Sequence, residues 1–132
     1  MTRARTAIRV ILADATEPLS AASVFRALDG TFDQATVYRT LHYLEGKGLA
    51  ESFVLHCAEH GTERYFTTRE GTARESHRHW FHCESCHRFT DLGDCQLSDM
   101  LARYETRFGV RIRDHNLNLT GLCAGCASLR ED

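Results

Sequence analysis

Asp33-Gln34-Ala35-Thr36-Val37-Tyr38-Arg39-Thr40-Leu41 is the stretch on which the fold turns. Asp33 is a capping residue, and Val37, Leu41 and Leu44 recur at steps of four and three, so a helix with one apolar face starts here. Gly46-Lys47-Gly48 stops it. Thr36, Arg39 and Thr40 fall largely on the opposite face. There an arginine can offer two parallel donors to guanine O6 and N7, and Thr36 or Tyr38 can meet a thymine methyl or a phosphate. Any solvated helix also shows Arg and Thr, so this stretch alone leaves DNA binding and a plain polar surface open.

Upstream, Asp29-Gly30 reads as a turn, and Ser20 caps a second helix carrying Val24, Phe25 and Leu28. Pro18 separates it from a first helix over residues 5–14, with Ile8, Ile11 and Leu12 on one stripe. Three short helices with a tight turn between the second and third give a helix-turn-helix. Downstream, Leu49–Leu55 and Arg64–Thr68 are β-prone, and His56–Glu63 between them contains Gly61 and can turn. A hairpin behind three helices makes a winged helix, so residues 1–68 are expected to form a winged helix-turn-helix domain. The small, polar run 69–76 is the expected hinge.

Residues 77–132 are expected to form a second, αβ domain, which makes the chain α+β. Within it, 79–83 and 88–92 pair as strands, and 96–108 carries Leu97, Met100, Leu101, Tyr104 and Phe108 at helical spacing. Val110–Leu119 alternates and reads as a strand leading into Cys123.

This second half carries the metal chemistry. Cys83/Cys86 and Cys123/Cys126 are two CxxC pairs, the four soft thiolates that tetrahedral zinc prefers, with disulfides as the alternative. Just upstream stands the histidine-dense His77-Arg78-His79-Trp80-Phe81-His82. No 18-residue apolar run and no signal-peptide core are present, so the expected compartment is the reducing cytoplasm, with no membrane partner. Lys plus Arg number 16 against 18 Asp plus Glu, a net charge of −2. That sum lends no electrostatic support to nucleic-acid binding, though an acidic average can hide a basic face. The chain has neither HExxH nor a nucleophile elbow, which leaves no support for a zinc hydrolase or other enzyme.

Ala35-Thr36-Val37-Tyr38-Arg39-Thr40-Leu41 resembles the ATVYRxL recognition-helix signature of the ferric uptake regulator (Fur) superfamily of bacterial metal-dependent repressors. Thr2-x-x-Arg5-x-x-Ile8 is similar to that family's opening, and Leu19-Ser20-Ala21 to its second-helix start. The HxH and CxxC cluster at 77–86 and the ending His115…Gly121-Leu122-Cys123-Ala124-Gly125-Cys126 fit as well.

The resemblance implies a cytoplasmic homodimer that represses metal-homeostasis genes by binding double-stranded operator DNA. Residues 77–132 are then the dimerisation domain, and Cys83, Cys86, Cys123 and Cys126 the structural zinc ligands. It implies a second, regulatory divalent metal (zinc, manganese or iron) that closes the dimer onto DNA. DNA contacts then fall to Thr36, Tyr38 and Arg39. Arg3 and Arg5, with Arg9, are either phosphate contacts or the polar face of the first helix. The sequence opens at the TxxR element, so the helix that precedes it in many members is expected to be absent.

The resemblance places the regulatory metal on His77, His79, Asp91 and His115. His79 lies four residues before Cys83, where the family pattern has three, and Trp80 takes the usual slot. Phe66 and Pro18 stand at two further positions where the family has ligands. Replacement ligands are sought at His82, Cys57, His60 and Cys95, and a thiolate among them would favour zinc over iron or manganese. The alternative for Cys57 and Cys95 is that of small buried hydrophobes. A peroxide- or redox-responsive repressor on the same fold is the alternative function.

Overall fold

The computed structural model describes residues 2–71 and 77–130. The chain forms two compact units, Met1–Thr72 and Ala73–Asp132. Of the expected hinge at 69–76, residues 72–76 lie outside the described residues.

In the first unit, α1 (Arg3–Asp14) starts at Thr2, whose hydroxyl accepts from Arg5 N–H at 3.2 Å, and buries Ala4, Ile8 and Leu12 at four-residue steps. β1 (Leu19–Ser20) leads directly into α2 (Ala21–Ala27), and Ser20 caps α2 by accepting from Ser23 N–H. Asp29 and Gly30 both turn with positive φ, 49° and 81°, where Asp and Gly are the tolerated residues. α3 (Gln34–Gly46) begins at Asp33, whose carboxylate accepts from Thr36 N–H at 2.8 Å. It ends before Gly48, left-handed at φ 74°.

Strands β2 (Ala50–Cys57) and β3 (Gly61–Thr68) form the hairpin, and β1 pairs on the far side of β3, giving the order β1-β3-β2. The hairpin is longer than expected: Cys57 pairs with Gly61, so only three residues turn, with Gly61 at φ 74°. The two-residue β1 carried no strand signal in sequence and exists because Leu19 and Ser20 ladder with Phe66 and Tyr65. Ile8, Leu12, Val24, Leu28, Val37, Leu41, Leu44, Ala50 and Phe66 make one core. Thr40, expected on the polar face of α3, is buried at 7% exposure, and its hydroxyl donates back to Thr36 O at 2.7 Å.

In the second unit, β4 (Arg78–Cys83) is central, antiparallel to β5 (Phe89–Asp94) and parallel to β6 (Asn118–Gly121). α4 (Ser98–Phe108) lies between β5 and β6 in sequence, and α5 (Ala124–Arg130) follows. The expected strand Val110–Leu119 is corrected: residues 110–117 are irregular and only β6 ladders. A strand needs a neighbour, and Trp80 of β4 first meets this segment at Asn118. Among the described residues no helix is long and apolar enough to cross a membrane.

Candidate metal centres and nucleic-acid face

The parallel register of β4 and β6 sets Cys83 beside Gly121, two residues before Cys123. It thereby joins two cysteine pairs distant in sequence. Cys83 is fully buried, and His87, left-handed at φ 65°, donates its N–H to Cys83 O at 2.9 Å to close the first CxxC turn. Sγ of Cys83 also accepts the backbone N–H groups of Cys86 (3.5 Å) and Cys123 (3.4 Å). Those donors hold its thiol down to about 5. Neighbouring sulfurs, Cys123 first, push the Cys126 thiol up to about 12.

The four sulfurs lie within 4.8 Å of one another, and Sγ of Cys86 is 3.8 Å from that of Cys123. None of the six cysteines, all among the described residues, forms a disulfide. Zinc–sulfur bonds of about 2.3 Å in a tetrahedron separate sulfurs by about 3.8 Å. The spacing and the donor set both fit zinc.

A second group gathers His77, His79, Cys95 and His115, again with all ligand atoms within 4.8 Å. Nε2 of His115 lies 2.9 Å from Nε2 of His77, 3.3 Å from Nε2 of His79 and 3.4 Å from Sγ of Cys95. Zinc–nitrogen bonds of about 2.0–2.1 Å in a tetrahedron separate nitrogens by about 3.3 Å, so these four donors fit one ion. Nδ1 of His79 is 3.1 Å from Leu117 O. A carbonyl only accepts, so Nδ1 carries the hydrogen and Nε2 turns its lone pair into the group, as an outer partner of a metal ligand does. His79 is nearly buried, at 9% exposure, and the other three are half-buried.

Of the expected regulatory residues, His77, His79 and His115 therefore converge, and Cys95 joins them. Asp91 is not brought to this group. It pairs across the sheet with Trp80, the neighbour of His79, and successive strand residues face opposite ways. Its carboxylate instead takes Arg78 at 2.6 Å and Gly93 N–H at 2.8 Å. His82 is buried at 2% exposure, with its ring against Phe89, centroids 4.9 Å apart, and is also outside the group. Cys57 and His60 sit together at the wing turn, Sγ to Nδ1 3.9 Å, with Cys57 buried. Phe66 is 1% exposed in the core and Pro18 is buried, so packing occupies both positions where the resemblance leads one to look for ligands. Sequence reasoning reached Cys95 only as a replacement. Twenty positions separate it from His115, and no motif spans that gap.

The first unit carries the nucleic-acid candidates. An open depression of about 590 Å³ between the start of α1 and α3 is lined by Arg3, Arg5, Phe32, Thr36, Arg39 and Tyr43, among others. The Arg5 guanidinium stacks 3.5 Å over the Tyr43 ring. Arg39 reaches Thr36 Oγ1 at 3.5 Å, and Tyr38 stands 53% exposed one position earlier. Arg9, by contrast, is engaged with the Glu70 carboxylate through both Nε and a terminal nitrogen. Three arginines around one concavity form a local cationic face on a chain of net charge −2.

The model of the ferric uptake regulator family matches residues 1–120. The ferric uptake regulation protein of Bacillus subtilis (strain 168) is 28% identical over 122 residues, spanning 90% of this chain and 78% of that protein. The solved structure of the Helicobacter pylori ferric uptake regulator Fur superimposes with a TM-score of 0.72 at 18% identity, covering 96% of this chain and 81% of its own. A zinc uptake regulator solved with zinc and DNA gives 0.66 at 17% identity, covering 97% and 83%. At these identities the two structures speak for the fold.

Proposed function

The chain belongs to the ferric uptake regulator family, metal-responsive transcription regulators rather than enzymes, and from that premise we propose that it is a zinc-responsive repressor of metal-homeostasis genes. It acts in the cytoplasm as a homodimer on operator DNA. The observation that carries this reading is the group of three imidazole nitrogens and one thiolate at His77, His79, Cys95 and His115. A thiolate is a soft ligand that suits zinc, whereas an all-histidine and carboxylate set leaves manganese and iron open.

Two sites then divide the work. Cys83, Cys86, Cys123 and Cys126 hold a permanent zinc that stabilises the Ala73–Asp132 unit, and the histidine-rich site holds the sensed ion. Zinc there supplies a dication that fixes four donors in one geometry. The chain contributes the orientation: Leu117 O sets the His79 tautomer, and His79 on β4 and His77 just before it both come to the site. On the first unit, α3 offers Arg39, Thr36 and Tyr38 to bases, and Arg3 and Arg5 offer charge to phosphates. Residues 69–76 serve as the hinge between the DNA-binding and dimerisation domains.

The test is a titration of protein already holding its four-cysteine zinc with zinc, manganese and iron(II), following binding to operator DNA. Zinc is expected to raise operator affinity at the lowest free concentration, and His79→Ala to abolish that response. If manganese or iron(II) acts at lower concentration than zinc, the metal assignment fails. If no metal changes operator affinity, the sensing role fails.

A further inference from the structure

Tyr38 projects from α3, the helix offered to bases above, and is 53% exposed. An exposed side chain samples several rotamers, and a partner that needs one of them must remove that freedom on binding. Tyr38 is not left to sample alone.

His42 lies four residues further along α3. A helical side chain leans back toward the N-terminus, over the residue four before it. The His42 ring accordingly meets the Tyr38 ring edge-on, with centroids 4.4 Å apart at 62°. It also meets Phe66 of β3 edge-on, at 5.9 Å and 89°. Phe66 is 1% exposed and belongs to the core of the first unit. Where the resemblance leads one to look for a metal ligand, the chain thus supplies a fixed ring against which His42 packs.

Glu45 adds a lateral stop. Its Oε1 is 3.8 Å from Nδ1 of His42. Its Oε2 accepts from the Ser52 hydroxyl on β2, which accepts in turn from Arg64 of β3 at 2.8 Å. The imidazole is therefore held by residues of two strands as well as by its own helix. Its side chain is still 40% exposed, and the buried stripe of α3 is Val37, Thr40, Leu41 and Leu44. His42 is no part of that stripe.

We propose that His42 is a positioning residue for DNA recognition: through the row Phe66–His42–Tyr38 it holds the Tyr38 ring in the one orientation that meets the duplex. The proposal rests on the DNA-binding role assigned above. It makes the ring of His42 the working part, whereas a histidine meeting phosphate by itself would work through charge.

The experiment uses the full chain with zinc at both sites. That protein first selects a duplex from a random-sequence pool, and fluorescence anisotropy then gives its affinity for the selected duplex across a salt series. His42→Ala is expected to weaken binding about 2- to 10-fold, the worth of one aromatic pair, with the salt slope unchanged. His42→Phe is expected to keep the parental affinity. In a Tyr38→Ala background, His42→Ala is expected to cost nothing further. Without DNA, three-bond couplings of Tyr38 are expected to report one χ1 rotamer in the parent and an average of rotamers in His42→Ala. If the losses add in the double variant, or His42→Phe binds as weakly as His42→Ala, the ring does not act through Tyr38. This inference is then overturned and the DNA-binding role stands. A rotamer average already present in the parent overturns it too. If Tyr38→Ala alone binds as the parent does, Tyr38 makes no contact to position, and the inference falls while Arg39 and Thr36 keep their role. If no duplex is selected, the DNA-binding role fails and this inference with it.

Discussion

The Sγ of Cys95 approaches Nε2 of His115 to 3.4 Å across the two ends of the segment that contains α4. It is the one thiol among three imidazoles, and so, on the proposed sensing role, the atom on which metal choice would turn. Iron and manganese prefer oxygen and nitrogen donors, and sulfur shifts the balance to zinc.

Cys95→Asp therefore tests selectivity at the level of a single donor atom. Zinc affinity at the second site is expected to fall by at least the roughly 10–100-fold that loss of even an outer-shell partner costs. Manganese affinity is expected to hold or rise. Competition against a chromophoric chelator measures both constants. Equal losses for the two metals would mean that sulfur does not set the preference.

The four-cysteine site has a built-in reporter. Trp80 is the only tryptophan of the chain and is 8% exposed, three residues before Cys83 on β4. Structural zinc is commonly worth most of the folding free energy of a small unit. Stripping it with a strong chelator, or substituting Cys83→Ser, is expected to red-shift Trp80 fluorescence. The helical circular dichroism of α1 to α3 should persist, because their core contains no residue beyond Phe66. A Trp80 spectrum unmoved by chelation would remove the structural role of this zinc.

The chain just past β3 is tied to α1 by Arg9 and Glu70. The hydrogen bond from Arg9 holds the Glu70 carboxyl below its usual range, with the positive charge adding to it. A depressed carboxyl stabilises the fold above its unfolded value of about 4.3 and loses that contribution as pH falls through the folded value. Glu70→Gln should therefore melt below the parent at pH 7 and converge with it in acid. The pair is about a third exposed, side chains 32% and 29%, so solvent screening limits the gap to a few °C at most. Thermal melts of both proteins from pH 7 down to about pH 3 check the convergence. A gap that persists in acid would assign the effect to packing.

What was legible in the sequence was local. Thr2, Ser20 and Asp33 announce their helices because a cap is a bond three residues long. The cysteine pairs announce a metal-ligating cluster because two ligands already lie in each turn, and the four sulfurs do gather at a spacing that fits zinc. What was not legible depends on register. Asp91 has the right chemistry for a regulatory ligand, but a single residue of strand phase puts it beside Trp80 and on Arg78 instead. Cys95 has no motif at all, and only the return of the chain after α4 brings it to His115. The strand expected at Val110–Leu119 failed for the same kind of reason: alternation marks a residue pattern fit for a ladder, and the ladder itself needs a neighbour that one chain does not supply before Asn118.

On the proposed DNA-binding role, the cationic face of the first unit would make two kinds of contact. Arg39 lies on the exposed side of α3, fixed by Asp33 at the helix start, whereas Arg3 opens α1 at the rim of the same depression. If Arg39 reads a base, Arg39→Ala is expected to cost about 1–3 kcal/mol on the cognate operator and to relax preference at one base pair. If Arg3 meets only phosphate, Arg3→Ala is expected to weaken all DNA similarly and to reduce the salt slope by about 0.9. Arg5 is a third case, because stacking on Tyr43 holds its guanidinium in place. Arg5→Lys keeps the charge but loses that planar stack, so it should weaken binding without changing the salt slope. Fluorescence anisotropy on cognate and scrambled duplexes across a salt series resolves all three. A uniform loss with Arg39→Ala, and a base-specific one with Arg3→Ala, would reverse the roles assigned to the two helices.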